Sequence, residues 1–300
     1  MKRLLQWIVV MLFLTVFVFT VLHLSGDPAV LLLPADATPA QIEQMRHALG
    51  LDRPILTQYI DYVGRLVRGD LGTSYRFYVP VSEVIWSYLP NTLVLSALAL
   101  CLATIIALVL GISAAVKRDT LVDLSATFVA TLGQSMPTFW FAILLLLLFG
   151  VKLKWLPVSG MGSWRHYVMP VISLGWYSSA VLTRLMRSSV LEVLNADHVR
   201  VARSKGLTER TILLKHVLRN ASLPVITVWG LQLGALLRGS VVTETVFGWP
   251  GIGRLSVESV LGRDYPVVLG LILVSGILFS LLNVLVDLSY VFLDPRVTYQ

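Results

Sequence analysis

Side chains able to do acid–base, nucleophilic or metal chemistry are few in this sequence, and none of them forms a recognisable site. The five His residues and the single Cys have no metal-ligand spacing, and the zinc-hydrolase pattern HExxH is absent. The phosphate-binding pattern GxxxxGK[ST] is absent too, so the chain does not bind ATP by that mechanism. We therefore expect no catalytic residue, no bound metal and no cofactor in this chain, and no enzymatic activity.

Acidic residues offer one further kind of chemistry, the relay of protons or ions across a membrane. Ion-coupled transporters usually bury ionisable acids near the middle of the bilayer. Here Asp123, Glu244 and Asp287 all fall at the ends of apolar segments. An ion-coupled secondary transporter stays open as an alternative, but these acids do not favour it.

Apolar segments dominate the chain and predict a membrane protein. The composition is 56% hydrophobic and 14% charged, with a mean hydropathy of +0.78, whereas soluble domains are about 45–50% apolar and about 25% charged. Runs of roughly 20 apolar residues are long enough to cross a bilayer as helices. Six such runs predict an all-α polytopic protein with an N-terminal transmembrane helix in 1–24, a small external helical region in 25–90 and a five-helix core in 91–300.

Local signals predict the ends and shapes of particular helices. Residues 38–41 read Thr-Pro-Ala-Gln, which is the pattern of a capping box, and Gly50 predicts where that helix ends. Small residues recur at every fourth position from Ala99 to Ala115, which predicts close packing between helices. Pro137 lies inside the third apolar run and lacks a backbone N–H, so we expect a kink there.

The basic segment 195–223 separates two apolar runs and predicts a helix, a glycine turn and a second helix. Asn195 or Asp197 is suited to cap the first helix, Gly206 follows its last turn, and Thr208 is suited to cap the second helix. The residues alone leave three interpretations open: docking onto a partner protein, gripping DNA as a helix-turn-helix, and contact with anionic lipid. A third helix to form a core is lacking, so we expect no nucleic acid partner.

Basic residues near the ends of the apolar runs predict the orientation in the membrane. With the N-terminus inside, the inner segments hold 13 Lys and Arg residues and the short outer loops hold five. Lys and Arg accumulate in short cytoplasmic loops. We therefore expect both termini and the basic segment to lie in the cytoplasm.

The basic segment resembles the cytoplasmic loop by which permeases of binding-protein-dependent ABC importers dock onto their ATPase subunits. On that alignment Arg200, Val201 and Ala202 stand at the Glu-Ala-Ala positions, Gly206 is the signature glycine, and Pro224 is the closing proline and the start of the fifth span. Only the second Ala is kept, and the distance from Gly206 to Pro224 is longer than in the general signature. Both departures are familiar in the dipeptide/oligopeptide/nickel branch of this family.

Five further motifs look like the same branch and extend the resemblance from Leu4 to Arg296. They are LGLDRP at 49–54, RGDLGTS at 68–74, SMPTFW at 135–140, ETVFGWPGIGR at 244–254 and RDYPV at 263–267. The resemblance implies a type I ABC importer permease in a bacterial inner membrane, with the region 25–90 facing an extracytoplasmic substrate-binding protein.

The resemblance also implies partners and residue roles. Two separate ATPase subunits would bind ATP and Mg, and a second, homologous permease subunit would complete a pathway surrounded by membrane lipid. The residues expected to couple this chain to its ATPase are Asp197, Arg200, Val201, Ala202, Lys205, Gly206, Leu207 and Pro224.

Polar residues within the apolar runs are the candidates for the translocation pathway. They are Gln134, Ser135, Pro137, Arg238 and Glu244. Gln134 and Ser135 either line a polar route beside the kink or only satisfy the broken backbone. Arg238 either faces the pathway, where it would meet an anionic group of the substrate, or extends to the outer interface. Permeases of this branch move peptides, nickel chelates, glutathione or opines; we expect di- or oligopeptides, and the other solutes stay open as alternatives.

Overall fold

The computed structural model describes residues 12–21, 28–31, 33 and 37–293. This part of the chain is predominantly helical, and its only β pairing is the single bridge between Thr73 and Pro80. The helices are α1 (Leu12–Val21), α2 (Pro28–Leu31), α3 (Pro39–Leu49), α4 (Ile55–Val67), α5 (Val81–Val116), α6 (Leu121–Ser135), α7 (Thr138–Leu145), α8 (Arg165–Leu194), α9 (Asp197–Ser204), α10 (Glu209–Thr211), α11 (Leu218–Val246), α12 (Ile252–Leu261) and α13 (Tyr265–Leu293). Two π-helical segments, Leu146–Lys152 and Ile212–Val217, continue α7 and α10.

Several of these helices are long and apolar enough to cross a membrane. Within the described residues they are Val81–Val116, Glu209–Arg238 and Tyr265–Leu282, and the bent pair Leu121–Ser135 with Thr138–Lys152 makes a fourth if it counts as one span. The prediction of a helical membrane protein is confirmed. The number of six spans and the boundaries 1–24, 25–90 and 91–300 stay predictions.

The chain forms two compact units. One comprises Met1–Leu89 and Leu255–Ser280, and the other comprises Pro90–Arg254 and Leu281–Gln300. In the first unit the predicted capping box is present, because the Thr38 hydroxyl accepts from the Gln41 N–H while the Gln41 side chain accepts from the Thr38 N–H. This helix, α3, ends at Gly50, whose φ of 68° is left-handed, as the sequence predicted.

Close packing of α5 on α8 forms the centre of the second unit. Ala99, Ala103, Ala107 and Ala115 are all buried in one apolar cluster. A Cβ on Gly111 would lie 2.9 Å from the carbonyl oxygen of Thr183, and one on Gly175 would lie 2.7 Å from that of Ala99. The small residues therefore allow the two backbones to approach each other, and the predicted close packing is confirmed.

The predicted kink at Pro137 is present, and it is a complete break in the helix. The axes before and after it, Leu121–Ser135 and Thr138–Lys152, differ by 105°. Met136 has extended dihedrals of −89° and 125°, the conformation that a following proline favours in the residue before it. Pro137 itself precedes the first turn of α7, where no N–H is needed.

One expectation about the basic segment is wrong. Ala196, not Asn195 or Asp197, precedes the first turn of α9, because Asn195 ends α8 and its amide donates back to the Leu191 carbonyl. The helix continues through Pro224 from Glu209 to Val246 by way of the π-helical segment. That the fifth span starts at Pro224 stays a prediction. The predicted cap at Thr208 is confirmed by its hydroxyl, which accepts from the Thr211 N–H.

An ion pair joins α6 to α8 within the second unit. Arg187 donates from Nε and Nη2 to the two carboxylate oxygens of Asp123, over 2.6 and 2.7 Å. The Asp119 N–H and the Thr127 hydroxyl also donate to this buried carboxylate. The end of α8 that leads into α9 is therefore fixed to the start of α6.

We expect Arg187→Ala to lower the unfolding temperature of the purified protein by roughly 5–10 °C. Removing one partner of a buried pair costs about 3–5 kcal/mol, and we reduce this to about 2–3 kcal/mol because Arg187 is partly exposed. Arg118→Ala is the matched control, since Arg118 pairs with Asp119 in the open and such pairs contribute at most about 1 kcal/mol. Equal unfolding temperatures for the two variants would contradict the prediction.

Candidate functional site

The segment from α9 to the start of α11 is the predicted coupling site, and it folds as a helix, a glycine turn and a second helix. Val199 and Ala202 of α9 and Ile212 of the second helix are buried in the same apolar cluster. Gly206 makes the turn with a φ of 76°, which favours glycine. Its N–H donates to the Arg203 carbonyl over 2.9 Å. The two helices thus pack on each other through their inner faces.

The outer face of α9 is exposed. Of the eight residues predicted to couple this chain to an ATPase, only Ala202 is buried; Asp197, Arg200, Val201, Lys205, Gly206, Leu207 and Pro224 are exposed. Val201 is 52% exposed although its side chain is apolar. Ala202 therefore packs within the helix pair, while Val201 and Leu207 leave apolar surface exposed.

An ion pair braces the glycine turn from outside. Arg203 Nε donates to Glu209 Oε1 over 2.8 Å, and a second bond of 3.3 Å joins the other guanidinium nitrogen to the other carboxylate oxygen. This hydrogen bonding raises the pKa of Arg203, so the guanidinium stays charged at any physiological pH. The brace limits how far α9 and α10 can move independently.

We expect Gly206→Val to weaken transport and Gly206→Asn to be tolerated. A Cβ at Gly206 would meet no atom within 4 Å, so a substitution acts through the left-handed backbone rather than through a clash. That conformation costs roughly 1–2 kcal/mol for an L-residue, and Asn adopts it far more readily than a β-branched residue does. ATP-driven uptake by the two variants measures this difference. An equal loss of uptake in both variants would indicate that any side chain at position 206 disturbs the site, whatever the conformation of the turn.

The predicted pathway residues differ in how exposed they are. Gln134 is partly exposed at the end of α6, where Ser135 and Pro137 are exposed. The Ser135 hydroxyl donates to the Thr131 carbonyl of its own helix. Arg238 is exposed on α11. Whether these residues line a pathway stays a prediction.

Glu244 is fully buried near the end of α11, unlike the other predicted pathway residues. The Thr92 hydroxyl donates to its Oε1 over 2.7 Å. The backbone N–H groups of Gly253 and Arg254 donate to Oε2 over 2.8 and 3.0 Å. The carboxylate thus caps the first turn of α12 and ties it to α5.

The residues between Glu244 and α12 are shaped around this carboxylate. A Cβ on Gly251 would overlap the Glu244 carboxylate, and one on Gly253 would lie 2.9 Å from Oε2. Trp249 is buried and donates from Nε1 to the Asn91 carbonyl over 3.2 Å. Gly251 and Gly253 of the motif ETVFGWPGIGR therefore leave room for the Glu244 carboxylate, a role that the sequence analysis did not identify.

The first unit contains a third buried carboxylate, which the sequence analysis missed. Asp264 of the motif RDYPV accepts from the Ser74 hydroxyl over 2.5 Å and from the N–H groups of Tyr75 and Arg76 over 3.1 and 3.2 Å. It thereby joins two of the motifs noted above, RGDLGTS and RDYPV, which stand 190 residues apart at Ser74 and Asp264. The sequence showed these two motifs only as separate segments and did not indicate that they contact each other.

Known proteins resemble this chain over its whole length. Residues 107–299 match the family described as binding-protein-dependent transport system inner membrane component, and residues 1–96 match the corresponding N-terminal family. The glutathione transport system permease protein GsiC of Salmonella typhimurium is 42% identical over 301 residues, which cover 100% of this chain and 98% of that protein. The Escherichia coli K12 protein of the same name is 43% identical over 300 residues, with the same coverage.

Solved structures share the fold at low identity. A crystal structure of an amino acid ABC transporter with histidines is 18% identical, covers 69% of this chain and 93% of that one, and gives a TM-score of 0.57. An inward-facing structure of the MetNI methionine ABC transporter is 15% identical, covers 71% and 97%, and gives a TM-score of 0.59. These likenesses, the two family matches and the exposed helix pair agree with one another. The chain belongs to the family of binding-protein-dependent transport system inner membrane components, and it is an ABC importer permease subunit, not an enzyme.

Proposed function

We propose that this chain forms one half of the translocation pathway of an importer for short peptides and transmits ATPase movement through α9 and α10. The observation that carries the proposal is the exposed apolar surface at Val201 and Leu207, on a helix pair whose inner face is already packed. An exposed apolar surface rimmed by basic residues is the kind of surface that marks contact with another protein. A second, non-identical permease subunit would form the other half of the pathway.

The packing of α9 supports a mechanism in which the helix pair moves as a rigid lever. When the two ATPases close on ATP, each would carry its helix pair with it. The buried contacts of Val199 and Ala202 with Ile212 keep the pair together. The Arg187–Asp123 ion pair links the end of α8 to α6. The movement would therefore shift the equilibrium of the spans from inward-open to outward-open, and hydrolysis would reverse it.

Short peptides are the proposed substrates, with glutathione as the first to test. Glutathione is itself a tripeptide, and it is the substrate in the printed names of relatives that are 42–43% identical. Selectivity in such importers also resides in the binding protein, so dipeptides, longer peptides, nickel chelates and opines stay open for this chain. An ion-coupled carrier is disfavoured because the chain belongs to an ABC permease family.

The proposal is tested by reconstituting the permease pair, both ATPases and the binding protein into liposomes. Uptake of labelled glutathione, a dipeptide, a longer peptide and a nickel chelate is then compared with and without ATP. We expect ATP-dependent uptake of at least one peptide and none of the nickel chelate. Uptake that follows an ion gradient and ignores ATP would contradict the proposal, and uptake of the chelate alone would contradict its substrate class.

We expect Arg238→Gln to reduce the preference for substrates that carry a free carboxylate about tenfold. A hydrogen bond to a charged group contributes about 1.5–3 kcal/mol, and Arg238 is exposed on α11. The measurement compares uptake of a peptide with uptake of its C-terminal amide. Arg219→Gln, at an exposed position near the other end of α11, is the matched control. An unchanged preference in Arg238→Gln would remove this residue from the pathway.

A further inference from the structure

Only part of the apolar side of helix α4 packs against other residues of its unit. Successive residues of a helix are about 100° apart, so Tyr59, Tyr62 and Leu66 share one strip of the 13-residue helix, and Leu56, Ile60, Val63 and Val67 share the next. The first strip faces its own unit. In the second strip Leu56 is 70% exposed, Ile60 61% and Val67 83%.

The packed strip of α4 contacts α1, which lies within the predicted first span. The Tyr59 hydroxyl lies 3.0 Å from the Thr15 hydroxyl. The ring of Phe19 lies 5.3 Å from that of Tyr59 and 5.8 Å from that of Tyr62, measured between centroids. Thr15 and Phe19 lie within 4–24, a run without a charged residue.

These contacts place α4 beside α1 rather than beyond its end. Counted at about 1.5 Å per residue, Phe19 lies about 3 Å and Thr15 about 9 Å before Val21, the last residue of α1. The hydrocarbon core is about 30 Å thick. Since 4–24 is the predicted first span with its N-terminus inside, a helix packed against both residues would lie in the outer half of the bilayer rather than above the membrane.

The remaining surfaces of this unit agree with that placement. Helix α1 also exposes two large apolar side chains, Phe13 and Phe17, on the side away from Tyr59. The opposite face of α4 is polar, with Asp61, Arg65 and Arg68 exposed. One apolar face, one polar face and basic residues at one end are the features of helices that lie in a membrane interface.

We propose that α4 is an interfacial helix of the outer leaflet, with Leu56, Ile60 and Val67 against lipid acyl chains and Arg65 and Arg68 beside anionic headgroups. Burial of the strip in hydrocarbon removes the cost of exposing it to water. The inference is independent of which solute is transported. It also changes the expectation for the region 25–90, since α4 would anchor this region to the membrane and leave α3 to meet soluble partners.

The test measures which solvent surrounds each face of α4 in the assembled transporter. Cys101 is replaced by Ala, and single cysteines are introduced by Leu56→Cys, Val67→Cys and, on the polar face, Asp61→Cys. Asp61 is a suitable control because its ion pair with Arg53 is exposed and contributes little. Each variant carries an environment-sensitive fluorophore in nanodiscs of phosphatidylcholine and phosphatidylglycerol. Nitroxide-labelled lipid and aqueous iodide serve as the two quenchers.

We expect nitroxide lipid to quench the labels at 56 and 67 at least threefold more than the label at 61, and iodide to show the opposite order. Iodide quenching at 56 and 67 that equals the quenching at 61 would place the strip in water and overturn the proposal. Protection of 56 and 67 from both quenchers would mean that protein covers the strip, and would overturn it as well. Because both apolar positions are exposed, neither cysteine removes a core contact.

Discussion

The Val201→Arg variant is expected to fold normally and to lose ATP-driven transport. The Val201 side chain is half exposed on the outer face of α9, so its replacement disturbs no internal packing. At the centre of a docked interface, a buried charge without a partner costs about 2 kcal/mol or more, which is about thirtyfold in affinity. The ATPase subunits should therefore no longer co-purify with the permease, and ATP-dependent uptake should fall at least tenfold.

Two other substitutions in α9 separate docking from folding. His198→Arg introduces the same side chain at an exposed position nearer the inner face, and we expect it to leave both co-purification and transport intact. Ala202→Arg forces a charge into the cluster that contains Val199 and Ile212, so it should lower the unfolding temperature as well as transport. If Val201→Arg kept its ATPase and its transport rate, α9 would not be the coupling surface.

The Glu244→Ala variant is expected to be the least stable of those considered. Its loss leaves three buried donors, the Thr92 hydroxyl and the N–H groups of Gly253 and Arg254, without their acceptor. Each unpaired buried donor costs about 1–3 kcal/mol. A total of about 3 kcal/mol or more corresponds to a fall of roughly 6–12 °C in the unfolding temperature of a domain of this size.

Three further variants test the role of this carboxylate. Glu244→Gln keeps one acceptor oxygen, so we expect about half the loss of stability. Gly251→Ala should destabilise without touching the carboxylate chemically, because its methyl group would occupy the same space. Glu258→Ala on α12, which breaks a partly exposed pair with Arg76, is the control and should cost about 1 kcal/mol or less. A Glu244→Gln protein of unchanged stability that fails to transport would instead favour the predicted pathway role.

The sequence predicted the backbone of the segment around Gly206 better than it predicted the faces of α9. The helix, glycine turn and helix around Gly206 were predictable, because a left-handed turn and a Thr cap are properties of a few neighbouring residues. The faces of α9 were not. Ala202 was expected to contact the ATPase together with Val201, and the structure buries Ala202 while exposing Val201. Which side of a short helix faces inward depends on what the second helix offers it.

The interruption at Pro137 shows the same limit at a larger scale. A proline within an apolar run removes a hydrogen bond, so some distortion was certain from the sequence. The size of the bend, 105°, depends on the helices that receive α7 after the break. One of these contacts is the stacking of the Phe141 ring on Trp176 of α8, with centroids 5.0 Å apart. The residues next to Pro137 do not indicate where Trp176 will lie in the folded protein.

By itself, the sequence determined that this protein is helical and membrane-embedded, and it determined where several helices begin and end. These properties follow from the bilayer's demand for apolar helices and from hydrogen bonds between near neighbours. Only the tertiary structure decided which buried carboxylates hold the chain together. Asp123 binds a residue 64 positions away, Glu244 one 152 positions away and Asp264 one 190 positions away. A carboxylate binds any donor that the fold brings within reach, so its partner cannot be identified until distant helices have packed.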